Sequence, residues 1–68
     1  MADEKLLNAV REIERCAHTL VVANAAQKAL AAGTNEALIA ALVTARETTP
    51  QAMVHNIASK TLGLKKSW

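Results

Sequence analysis

The chain has 68 residues and contains no Phe, no Tyr and a single Trp, Trp68, at its last position, with one Cys, one Pro and two Gly. Without aromatics, the large core-forming side chains reduce to 8 Leu, 5 Val, 3 Ile and 2 Met, while 15 of the apolar residues are Ala. That makes a thin core. A chain this short hides only about 60% of the surface its unfolded form exposes, so self-association or a partner is the expected supplement. A lone Cys16 excludes an internal disulfide and fits a reducing compartment, although a bridge to another chain stays open. Two glycines leave no room for a glycine-rich phosphate loop, and no nucleophile elbow is present.

Charge of one sign is also scarce in places. From Gln51 to Trp68 there are three cations, Lys60, Lys65 and Lys66, and no acid, whereas residues 1–15 carry four acids against three bases. The overall balance of +2 implies neither nucleic acid nor membrane by itself. No signal peptide is evident, because the first 15 residues are charged and no cleavage site follows. The uncharged run Ala37 to Ala45 is far too short to span a bilayer. These absences together lead to the expectation of a soluble, cytoplasmic protein with no membrane partner.

What is present reads as helix throughout. Leu6, Val10, Ile13, Ala17, Leu20 and Asn24 recur at alternating spacings of four and three, which is a helical stripe, and Gly33 is placed to close that helix as a left-handed cap. Thr34 suits the N-cap of a second helix. Thr49 suits that of a third, with Pro50 at its first position, where the missing N–H is harmless. The spacing predicts an all-α fold in which residues 1–63 form a single three-helix domain. Its helices would run over about 3–32, 35–47 and 50–62, a long one followed by a shorter hairpin, with a basic tail at 64–68.

The long first helix differs between its halves: charges crowd the first, while between Leu20 and Ala32 only Lys28 is charged. A helix that is apolar most of the way round must be covered most of the way round. The second helix repeats the pattern with Leu38, Ile39, Ala41, Leu42 and Val43. Two such segments expose more apolar surface than one copy easily hides, which points to a homodimer or a helical protein partner docked on Val21, Val22, Ala25, Ala29, Leu38 and Leu42. The competing reading is a monomer, since Ala tolerates water. Asn24 and Gln27 lie in the apolar stripe, as register-fixing polar residues of a paired helix or as plain surface positions.

Catalytic constellations are nearly absent. Cys16 and His18, two apart, point to different faces of a helix, so neither a nucleophile–base pair nor a local metal site follows. His55 adds no ligand spacing, and no metal or other cofactor is expected. Enzyme activity and a small-molecule substrate are therefore not expected. The alternative binding reading is a helix-turn-helix regulator: helix 50–62 would present Thr49, Gln51, His55, Asn56 and Lys60 to DNA, with Lys65 and Lys66 neutralising phosphates. Against it, the turn has no glycine and the third helix no arginine.

The stretch Leu6-Leu7-Asn8-Ala9-Val10-Arg11-Glu12-Ile13, continuing through Leu20-Val21 and Ala25-Ala26-Gln27, resembles the Ala-rich helices of the talin and vinculin class of cytoskeletal adaptors. It covers about a third of the chain. The resemblance implies a helical bundle. The shorter second and third helices depart from that class, and no actin-binding or vinculin-binding residue carries over.

Overall fold

Short polar side chains decide where each helix begins. The computed structural model describes residues 3–49 and 51–63, which form α1 (Glu4–Cys16), α2 (Leu20–Ala32), α3 (Asn35–Thr48) and α4 (Ala52–Gly63). The Asp3 carboxylate accepts a hydrogen bond from the Lys5 N–H at 2.8 Å, ahead of α1. The hydroxyl of Thr19 accepts from the Val22 N–H at 3.4 Å, and that of Thr34 from the Ala37 N–H at 3.2 Å. Each satisfies one of the donors that a helix start leaves free. Gly33 closes α2 at φ 68°, a left-handed conformation that glycine adopts without strain, and its N–H donates to the Ala29 carbonyl at 2.9 Å. The Thr49 hydroxyl accepts from the Gln51 N–H at 3.1 Å ahead of α4. Pro50 lies outside the described residues.

The expected long helix over 3–32 is corrected to two helices, so the bundle has four helices and not three. Ala17 and Thr19 are extended, at ψ 130° and 148°. Had the stripe continued, Leu20 and Asn24 would follow Ile13 into the core. Instead the buried residues of α2 are Val22, Ala26 and Ala29, two positions later in phase. Dimensions give the physical reason. An unbroken helix of some thirty residues would be about 45 Å long, whereas the longest extent of the fold is 28 Å. Breaking at Thr19 folds the second half back onto the first and buries both apolar stripes.

Connections of two or three residues make successive helices reverse direction. The Asp3 N–H donates to the Asn35 Oδ1 at 2.6 Å, which ties the start of α1 to the start of α3. At the other end, Cys16 of α1 meets Met53 of α4. Helices α1 and α3 touch each other and both remaining helices, while α2 and α4 are not neighbours. Between them, Leu6, Val10 and Ile13 of α1, Val22 of α2, Leu38 and Leu42 of α3 and Val54 of α4 are almost completely buried. Each such side chain contributes about 1.5–3 kcal/mol by leaving water. Ala26, Ala45 and Ala58 are buried to the same degree between the helices. Among the described residues no helix is long and apolar enough to cross a membrane.

Candidate interaction surface

The six residues expected at an interface separate into two groups. Val22, Ala29, Leu38 and Leu42 are buried in the chain's own core, so their apolar character is used within one copy. Placing Val22, Leu38 and Leu42 on a free surface is corrected: the four helices pack around them, and Ala29, 3% exposed, does no more than border a groove. Val21 remains 58% exposed, and Ala25 is half-buried beside it.

Ala25 lies on the side of α2 that turns toward α3, and Val21, four residues before it, continues the same strip of the helix. There the two helices leave a groove of about 310 Å³, lined by Ala25, Lys28, Ala29 and Ala32 from α2 and by Ala37, Ala40, Ala41 and Thr44 from α3. Its construction follows from helical geometry. On α2, positions 21, 25, 28 and 32 recur at spacings of three and four, a strip flanking the buried Val22, Ala26 and Ala29. On α3, positions 37, 40, 41 and 44 flank the buried Leu38, Leu42 and Ala45 in the same way. Because nearly all these side chains stop at Cβ, the walls are low and the helix backbones lie close to the surface. Lys28 is the one charged side chain in the lining. Sequence reading did not place Lys28, Ala32, Ala37, Ala40, Ala41 and Thr44 at the surface of interest. Their spacing was visible, but the phase that turns it into a groove depends on knowing which side of each helix is buried.

The exposed large apolar side chains among the described residues are Leu20 and Val21 at the start of α2 and Met53 at the start of α4, with Leu20 79% exposed. Half-buried Cys16 packs against the core at the end of α1, its Sγ 3.6 Å from the Met53 Sδ. Asn24 and Gln27, expected in the apolar stripe, are exposed, as the shifted phase of α2 requires.

Residues of the DNA-binding alternative differ in exposure. His55, Asn56 and Lys60 are exposed on α4. Thr49 is 8% exposed, with its hydroxyl engaged by the Gln51 N–H, so it is corrected from a contact residue to a helix-start residue. The Gln51 Oε1 is buried without a hydrogen-bond partner. Lys65 and Lys66 lie outside the described residues. No group of three or more His, Cys, Asp or Glu among the described residues is placed to hold a metal ion. The bundle implied by the adaptor resemblance is present as a four-helix arrangement. Comparison with protein-family models, with curated proteins and with solved structures finds no match to this chain, for the adaptor class or for any other.

Proposed function

We propose that this chain is a non-catalytic helical interaction module that pairs with a second copy of itself through the groove between α2 and α3. One observation carries the reading: a groove of about 310 Å³ whose lining is six alanines, one threonine and one lysine, continued toward the start of α2 by an exposed valine. Water gains little from such a surface, and an apolar helix laid into it displaces that water. Side-chain size sets the distance between packed helices within about 8–10 Å, so alanine walls allow an approach at the close end of that range. The shortage of large core residues points the same way, since a second copy adds buried area that a chain of 68 residues has difficulty generating alone. The DNA-binding alternative has less support, because Thr49 and Gln51 direct polar atoms into the protein.

Sedimentation equilibrium at micromolar concentration tests the pairing. The expected mass is twice the 7.2 kDa of one chain. Val21→Asp, on an exposed position, brings the mass to that of one chain and leaves the helical circular dichroism unchanged. A native protein that sediments near 7.2 kDa overturns the reading.

A further inference from the structure

Two charged side chains in or beside this groove have no ion-pair partner among the described residues. Lys28 stands in the groove, and Glu36 lies one turn before Ala40 along the outer edge of α3; both are exposed. The one ion pair among the described residues joins Arg15 and Glu12. We propose that Lys28 of each copy pairs with Glu36 of the other, seating α2 of one copy over α3 of the second and the reverse. This rests on the groove pairing proposed above and names the residues that select the second copy and set its orientation.

The argument is one of symmetry and sign. Two identical grooves can close face to face about a two-fold axis that runs either across the helices or along them. An axis across the helices stacks α2 on α2. Lys28 lies near the middle of the lining stretch from Ala25 to Ala32, so the two Lys28 side chains would then meet. Like charges brought together at an interface oppose association. An axis along the helices stacks α2 on α3. Because α2 and α3 run antiparallel across the two-residue link Gly33–Thr34, Lys28 is level with the turn around Ala40 and then falls over that turn of the second copy, where Glu36, one turn before Ala40 and just outside the groove lining, is the adjoining charge. The same arrangement sets Val21 level with Thr44 and Thr48 of the second copy. The Thr48 hydroxyl donates to the Thr44 carbonyl at 2.6 Å in its own helix, so it makes no polar demand on a valine. Two symmetry-related ion pairs result, and no like charges from the lining face each other.

A charge exchange tests the pairing. Lys28→Glu and Glu36→Lys are made separately, each checked for unchanged helical circular dichroism, and dimer dissociation is measured at low salt, where surface charges are least screened. Each variant alone is expected to dissociate about tenfold more readily than the native chain, because both of its pairs become like-charged. Mixing the two variants in equal amounts restores native-strength association, since both pairs of the mixed dimer are again of opposite sign. If the native chain dimerises but single variants associate as strongly as it does, or their mixture stays as weak as either alone, this pairing is overturned and the groove dimer stands. A native chain that is monomeric under the same conditions overturns both.

Discussion

Helices α1 and α2 are of equal length, 13 residues each, and both bury one side in the same core, yet they differ in what they turn outward. α1 buries Leu6, Ala9, Val10 and Ile13 and presents Lys5, Arg11 and Arg15 to water. It is an amphipathic helix completed by its own chain. α2 buries Val22, Ala26 and Ala29, but its outer surface carries Leu20, Val21, Ala31 and Ala32, with Lys28 as its one charge. The difference shows that burial in a core and satisfaction of a helix are separate matters. Residue type fixes whether a face prefers water. The number of neighbours the fold supplies fixes whether that preference is met. α1 has three neighbours and α2 has two, which leaves an apolar strip of α2 beside α3 without a third.

Substitutions can break this comparison or sharpen it. The largest effect is expected from Val22→Asp, which places an unpaired carboxylate at a site 2% exposed; a loss of about 4 kcal/mol or more, read by thermal unfolding, follows from burying a charge. Its neighbour Val21→Asp is the control, because at 58% exposure it is expected to keep the fold. If both unfold the chain equally, the two sides of α2 do not differ as described. Thr19→Ala is next. It removes the hydroxyl that starts α2, and about 1 kcal/mol of stability goes with it in chemical denaturation. No change would mean that the break between α1 and α2 is held by packing alone. The smallest effect belongs to Leu20→Ala: at 79% exposure the stability change should lie within about 0.5 kcal/mol, and a larger loss would show that Leu20 is covered in solution.

The comparison also explains which features were legible in the sequence. Thr34 and Gly33 mark the junction of α2 and α3 without ambiguity, because a capping hydroxyl and a left-handed glycine act within one turn of chain. The stripe through Leu6, Val10 and Ile13 is legible because charged residues on the other side of α1 give it a phase. In α2 the same method fails. Apolar residues occupy nearly every direction, so periodicity carries no information about which side is buried, and continuing the stripe from α1 selects Leu20 and Asn24, both of which are exposed. The change of composition after Cys16 was the available signal for the break. Thr19 marked it, but the unbroken spacing of apolar residues across positions 17 to 20 concealed it.

The candidate surface was legible only in part, for a related reason. Its composition of small apolar side chains in α2 and α3 is visible in the sequence, and Val21 and Ala25 are among the residues expected there. Val22, Leu38 and Leu42 were not separable from them, because a core residue and an interface residue are the same chemistry in different surroundings.

By itself the sequence determined that the chain is helical, where caps start α3 and end α2, and that its apolar material is rich in alanine and poor in large side chains. These are consequences of local forces acting within a turn or two of chain. Only the tertiary structure decided that the first helical stretch is two helices, that Val22 is inside while Val21 is outside, and that Lys28 shares one groove with Ala37 and Ala40 of α3. Those outcomes depend on how much apolar surface each way of folding the chain can hide at once, a quantity set by contacts between helices far apart in sequence.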